Sequence, residues 1–387
     1  MSGSWARDDG SARDGGSGRR RGGSVRDGAA EGRLVKVGLV VNPVAGVGGR
    51  VGLKGSDGAD VQEQAFALGA VARAGERATV ALRALLAQRP EIAVLTAAGS
   101  MGEASAREAG LSPMVLYAPG DPTSPSDTIA AARLLAPQVD LLLFAGGDGT
   151  ARDVLQAVGD SVPVLGIPTG VKMHSAVFAV NPRAVGEVAA SYSRLRDAEV
   201  VDRVEGSTHL FGHLRVPDLP SRVQQRKTGS SGITPDAVSG IAAELAELGG
   251  LLVLVPGTTT RAVAALCGID VPVLGVNVLA EKQLIAADVT ADDLLKLVTT
   301  PTHIAITPIG GQGFLLGRGN QQLAPEVLRR VGLGQLRVVA TEAKLAALGG
   351  RPFHVDTGDA ALDHEFPAYP RVITGYHRTT LYPLERA

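Results

Sequence analysis

Asp140-Leu-Leu-Leu-Phe-Ala-Gly-Gly-Asp148-Gly-Thr150 is the stretch whose reading decides the fold. The apolar run Leu141–Ala145 reads as a short strand, and a helical pattern sets in from Ala151. Between them stand Gly146, Gly147, Asp148, Gly149 and Thr150. Glycines let the backbone approach a ligand closely and adopt an unusual φ. The exposed N–H groups at a helix start favour a phosphate. A carboxylate in such a loop can take a proton from an attacking hydroxyl, which is what phosphoryl transfer needs. The segment therefore points to a kinase acting on a hydroxyl group, with Asp148 as its base. The same letters also spell a tight turn with Asp148 as a helix N-cap, so the other loops must discriminate.

Upstream, Val35-Lys-Val-Gly-Leu-Val-Val41 reads as a buried parallel strand. It runs into Asn42-Pro43-Val-Ala-Gly46-Val-Gly48-Gly49, which lacks the Gly-Lys-Ser/Thr of a P-loop. Gly46, Gly48 and Gly49 can still wrap a nucleotide phosphate, with Asn42 at the loop's entrance. Further strand-like runs fall at Ile92–Thr96, Met114–Tyr117 and Val162–Leu165, separated by helical stretches within 61–88, 103–109 and 128–135. Alternation of this kind predicts a Rossmann-like, doubly wound parallel sheet with helices on both faces. Ligands on such sheets sit beyond the carboxyl ends of the strands. The loops beginning at Asn42, Thr96, Ala118, Gly146 and Pro168 all follow strands and can converge on one crevice.

Three more strand exits carry polar groups. Gly166-Ile-Pro-Thr169-Gly170-Val-Lys172-Met-His174-Ser175 gathers Thr169, Gly170, Lys172, His174 and Ser175 as candidate substrate contacts, Lys172 as a point charge for a phosphate. Gly257-Thr258-Thr259-Thr260 offers hydroxyls at a helix start, a phosphate or ribose site or simply an N-cap. The loop from Pro308-Ile-Gly-Gly-Gln-Gly313 through Leu316-Gly-Arg318-Gly-Asn320-Gln-Gln322, rich in Gly, Arg, Asn and Gln, reads as ligand contact over plain turn and adds Arg318 and Asn320.

Composition excludes several function classes. Net charge is −1 and aromatics make up 3%, which argues against nucleic acid or an anionic membrane as partner. No apolar stretch approaches the roughly 20 residues of a membrane span. One cysteine, Cys267, permits no intrachain disulfide, which fits a cytoplasmic protein. Thiolate metal clusters are excluded on the same ground. His209 and His213 sit in strand-like text, which would place their rings roughly 13 Å apart at about 3.3 Å per residue. His354, Asp356, Asp359, Asp363, His364 and Glu365 read as a solvated acidic loop. No protein metal site is expected.

A length of 387 residues suits two domains. Residues 1–33 hold no Leu or Ile and read as a disordered leader. Residues 34–200 form the expected nucleotide-binding α/β domain. Residues 201–387 form a second, mixed α/β and partly β-rich domain, with strands expected at Thr208–Val216, Leu251–Val255, Val271–Val276, His303–Thr307 and Leu336–Ala340 and a helix at Asp236–Leu248.

Taken together, Asn42-Pro-Val-Ala-Gly-Val-Gly-Gly, Gly146-Gly-Asp-Gly-Thr-Ala-Arg-Asp153, Gly166-Ile-Pro-Thr-Gly-Val-Lys-Met-His-Ser175 and Leu316-Gly-Arg-Gly-Asn-Gln-Gln322 resemble the NAD kinase and diacylglycerol kinase superfamily. The text is most similar to the ATP-NAD kinase family, in the branch that includes the acetoin-catabolism protein X group. The resemblance covers roughly Leu34 to Pro383. It implies an ATP-dependent kinase that phosphorylates the 2′-hydroxyl of NAD or NADH, with Asp148 as the base and magnesium neutralising the triphosphate. A homo-oligomer handling small nucleotides is the expected form. A kinase for a lipid or another small hydroxyl compound, and a non-catalytic nucleotide-binding regulator, are the alternatives the residues leave open.

Overall fold

The apolar run Leu141–Ala145 is buried along its whole length because both faces of its sheet are covered. In the computed structural model, which describes residues 35–47, 59–169, 173–204, 207–219, 222–224, 235–271, 275–298 and 301–386, it forms strand β4 (Leu141–Gly146). Its neighbours are β1 (Val35–Val41), β2 (Ile92–Ala97), β3 (Met114–Tyr117) and β5 (Val164–Pro168). All pair in parallel, in the order β3-β2-β1-β4-β5. Helices α1 (Ala59–Ala67), α2 (Ala74–Gln88), α3 (Glu103–Glu108), α4 (Pro125–Leu135), α5 (Asp148–Val158) and α6 (Pro182–Ser191) belong to this half. Successive β4 side chains point to opposite faces. Leu141, Leu143 and Ala145 pack with Leu82 and Leu85 of α2 and Val185 and Val188 of α6. Leu142 and Phe144 pack with Leu135 of α4 and Ala151 and Val154 of α5. This is the expected doubly wound sheet, and its order reverses between β1 and β4.

Two readings of this half change. The helix after the glycine loop begins at Asp148, three residues earlier than the apolar pattern suggested. The residue-200 division falls within β6 (Leu195–Val204), which pairs antiparallel with β7 (Ser207–Pro217). Buried Ala198, Val200, Leu214 and Val216 of this hairpin complete the core over α5. The expected strand over Thr208–Val216 is β7.

The second half builds a mixed seven-stranded sheet in the order β10-β9-β8-β11-β12-β14-β15. Its strands are β8 (Leu251–Leu254), β9 (Val276–Ala280), β10 (Gln283–Val289), β11 (Thr302–Ile306), β12 (Leu336–Val339), β14 (Arg371–Gly375) and β15 (Arg378–Leu381). Strand β13 (Phe353–Val355) pairs instead with the C-terminal β16 (Leu384–Arg386). Strands β8, β11, β12 and β14 run parallel to one another. One face is covered by α7 (Pro235–Ala246) and α8 (Thr258–Leu266). The other packs against α9 (Ala291–Leu297), α10 (Pro325–Val331), α11 (Glu342–Ala346) and α12 (Ala360–Glu365). The strand expected over Val271–Val276 begins only at Val276, and 272–274 lie outside the described residues.

The two halves interlock within one compact unit from Leu34 to Ala387. Arg77 of α2 pairs with Asp356, and Arg318 reaches the same carboxylate at 3.3 Å and the Val180 carbonyl at 3.0 Å. Burial works to raise the Asp356 pKa, but the Arg77 and Arg318 guanidinium groups hold it below the usual carboxylate range. His354, Asp356 and Asp363 of the segment expected to be a solvated acidic loop are buried, while His364 and Glu365 are exposed as expected. Expectations for residues 1–33 fall outside the described residues.

Candidate active site

The exits of β1, β4 and β5 meet where the strand order reverses, at the crevice where open α/β sheets bind ligands. Asn42 follows β1, and its Nδ2 donates to Thr150 Oγ1 at 3.0 Å, tying that exit to the first turn of α5. Its Oδ1 accepts the Val44 N–H at 3.2 Å, shaping the turn. Gly46 sits in that turn at φ 81. Gly48 and Gly49 lie outside the described residues, as do Gly170 and Lys172.

Gly146 and Gly147 do different things. A Cβ on Gly146 would stand 2.3 Å from Thr150 Oγ1, so glycine is needed for helix α5 to start against the strand end. A Cβ on Gly147 would meet nothing within 4 Å among the described residues. Gly147 therefore leaves a clear approach to the first turn of α5. The amides of Asp148, Gly149 and Thr150 open that helix and have no partners within it. Anions settle at such turns.

Asp148 is the first residue of α5, and the N-cap position belongs to Gly147. Its side chain turns away from capping. The carboxylate accepts the backbone N–H of His174 at 2.7 Å and of Ser175 at 3.0 Å. The residue is 6% exposed. Burial pushes its pKa up to about 6, against the hydrogen bonds from Ser175 and His174, and the charge of Asp202 adds to the rise. Asp202 is itself paired with Arg152 at 2.9 Å. A base with a pKa just below neutrality is mostly ionised at pH 7 yet still takes a proton readily.

The strap Met173–Ser175 is fastened from three sides. Ser175 Oγ donates to the Val201 carbonyl at 2.8 Å, Gln224 Nε2 to the Ser175 carbonyl at 2.7 Å, and Gln312 Nε2 to the Met173 carbonyl at 3.1 Å. Gln312 comes from the loop after β11, so the second sheet braces the carboxylate of the first. Gln312 belongs to a loop the sequence marked for ligand contact and Gln224 opens a stretch that reads as a linker, because nothing local marks a side chain that reaches a distant backbone. Thr169 lies next to this strap. Its N–H meets the Gly146 carbonyl at 3.3 Å, and its buried Oγ1 has no hydrogen-bond partner among the described residues. A buried hydroxyl without a partner beside an open glycine fits a ligand contact.

The other expected contacts lie elsewhere. Thr258, Thr259 and Thr260 open α8 at the exits of the second sheet. Thr260 Oγ1 donates to the Val255 carbonyl at 2.7 Å, and Lys344 Nζ donates to Thr307 Oγ1 at 2.8 Å and Thr259 Oγ1 at 3.4 Å. Arg318 is buried in the Asp356 network. Asn320 closes its own loop, donating to the Leu315 carbonyl at 2.6 Å and accepting the Gly317 N–H at 3.0 Å. Arg318 thus ties the second half to the first and Asn320 shapes its own loop, so both have internal partners.

Residues 37–197 match the ATP-NAD kinase N-terminal domain, and residues 262–384 match the ATP-NAD kinase C-terminal domain. The chain belongs to the ATP-NAD kinase family. No curated protein matches the sequence. Among solved structures, this family member is similar to one described as a diacylglycerol kinase from Bacillus anthracis str. Sterne, with 15% identity and a TM-score of 0.26. That match spans 47% of each chain, about half the length of the solved structure. Among the described residues of this ATP-NAD kinase family member, no helix is long and apolar enough to cross a membrane. No group of three or more His, Cys, Asp or Glu among them is placed to hold a metal ion.

Proposed function

We propose that the chain is an ATP-dependent phosphotransferase acting on an alcohol, with the 2′-hydroxyl of NAD or NADH as acceptor. The observation that carries the reading is the Asp148 carboxylate. It is buried, gripped by two backbone amides and held near neutrality in pKa, at the strand-order reversal of a family that phosphorylates NAD.

In this reading the triphosphate lies against Gly147 and the first-turn amides of α5, with Thr169 Oγ1 as a further donor. Magnesium enters as part of the MgATP substrate, bound through the phosphates. The acceptor hydroxyl lies against Asp148. As its oxygen bonds to the γ-phosphorus, its proton passes to Asp148 and the bond between the γ-phosphorus and the β,γ-bridging oxygen breaks, releasing ADP. The two amides from His174 and Ser175 fix the direction in which the carboxylate's free lone pairs face.

Purified protein with MgATP and a panel of NAD, NADH, nucleosides and diacylglycerol tests this. NADP or NADPH formation supports the acceptor assignment. Phosphorylation of another hydroxyl keeps the chemistry and replaces the substrate. Nucleotide binding without product from any acceptor overturns the kinase reading.

A further inference from the structure

A cavity of about 330 Å³ lies in the second half, between α7, α8 and the strands β8 and β9. Its wall is aliphatic, formed by residues such as Leu245, Leu254, Val263, Ala264, Ile269 and Leu279. An engineered apolar cavity of roughly 150 Å³ holds benzene, so this one admits a molecule about twice that size. It also falls within the roughly 300–1,000 Å³ of small-molecule sites. Ordered water needs about 2–4 polar partners. The lining side chains offer only the Cys267 thiol and the charges of Glu281 and Lys282. Left unfilled, the wall forgoes dispersion contacts on its inner side.

The lining selects among ligands. None of the described lining residues is aromatic, so a flat ring has nothing among them to stack on, whereas branched aliphatic walls suit a flexible alkyl chain. Glu281 and Lys282 form the two-residue turn between β9 and β10, at φ 48 and φ 63. Turns of this kind ordinarily carry Asn-Gly. Positive φ at both central residues is what a two-residue hairpin turn demands, so the hairpin fixes where these two side chains stand. The turn sets a lysine and a glutamate beside the apolar space. Lys282 supplies a point charge for a carboxylate or phosphate, and Glu281 beside it moderates that field.

We propose that this cavity binds a medium-length alkyl chain with an anionic head, the chain between α7 and α8 and the head at Lys282. The proposal does not depend on phosphoryl transfer at Asp148. Free fatty acids and alkyl phosphate esters share this chemistry, and the test separates them.

Cys267 is the chain's single cysteine and lines the cavity, so its rate of reaction with a thiol reagent reports occupancy. Decanoate or decyl phosphate, below its micellar concentration, should slow that reaction several-fold in the full-length protein. Butyrate and inorganic phosphate should not. The stronger protector of the two amphiphiles identifies the head group. Lys282→Ala should weaken protection by both roughly tenfold and leave protection by decanol unchanged. Ala264→Phe, which fills the cavity, should abolish protection, and Ala246→Leu at its edge gives a milder version should the first not fold. Asp148→Asn should bind decanoate as the wild type does. An unchanged Cys267 rate with both amphiphiles, or protection that survives both filling variants, overturns the site. Equal protection by butyrate and decanoate does the same. Protection by the anionic amphiphiles that is indifferent to Lys282→Ala overturns the placement of the head.

Discussion

Ser175 donates its backbone N–H to the Asp148 carboxylate at 3.0 Å, across 27 residues of sequence. This contact, with its twin from His174, makes Asp148 an oriented, buried acid where the sequence left both a catalytic base and a helix cap open. The predictions about activity follow from it.

Asp148→Asn should lower kcat by roughly 10²–10⁴-fold, the usual cost of losing a general base. KM for the acceptor should move far less, because the proton acceptor matters most as the proton leaves. Asn can accept only one of the two amides, so circular dichroism and melting should be compared first. Near wild-type turnover in a folded variant would remove Asp148 from the mechanism.

Turnover should rise with pH through about 6 as Asp148 ionises. Stability should run the other way. The folded pKa lies above the unfolded value of about 3.9, so Asp148's contribution is fully present below that value and is lost as pH rises through about 6. The size is about 3 kcal/mol, at roughly 1.36 kcal/mol per pKa unit. Urea unfolding between pH 4 and 8 should show this slope in the wild type and a flatter one in Asp148→Asn. Parallel profiles would show that Asp148 titrates as it does in the unfolded chain.

Arg152→Gln should move the acidic limb of the pH–rate profile upward. Arg152 holds Asp202 at 2.9 Å, and the Asp202 charge already raises the Asp148 pKa. Freed of its cation, Asp202 opposes ionisation of Asp148 more strongly. A limb that stays in place or moves down would show that the pair does not reach the site.

Gly147→Ala should leave melting unchanged, because its Cβ meets nothing within 4 Å among the described residues, and should raise KM for the nucleotide. Gly146→Ala should destabilise the fold, because its Cβ would stand 2.3 Å from Thr150 Oγ1. Unchanged nucleotide affinity in Gly147→Ala would move the phosphates away from this loop.

Asp356→Asn should destabilise the protein by about 3–5 kcal/mol, since it leaves Arg77 and Arg318 buried without their counter-charge. Denaturant unfolding measures the loss. A change under 1 kcal/mol would show that the guanidinium groups find other partners.

The sequence by itself determined the parallel first sheet. Buried stretches such as residues 37–41 and Leu141–Gly146 are continuous apolar runs, and glycine-bearing exits with helical text between them leave few other arrangements. It also singled out Asp148, because a carboxylate among glycines at a strand exit is a local pattern. Only the tertiary structure decided what that carboxylate does. Its pKa comes from burial and from amides 26 and 27 residues away, and the strap bearing them is fastened by Gln224 and Gln312. Arg318 and Asn320 looked like ligand contacts for the same reason. A polar residue in a glycine-rich loop has the same letters whether it meets a ligand or a buried Asp356, and the partner is chosen by packing between elements distant in sequence.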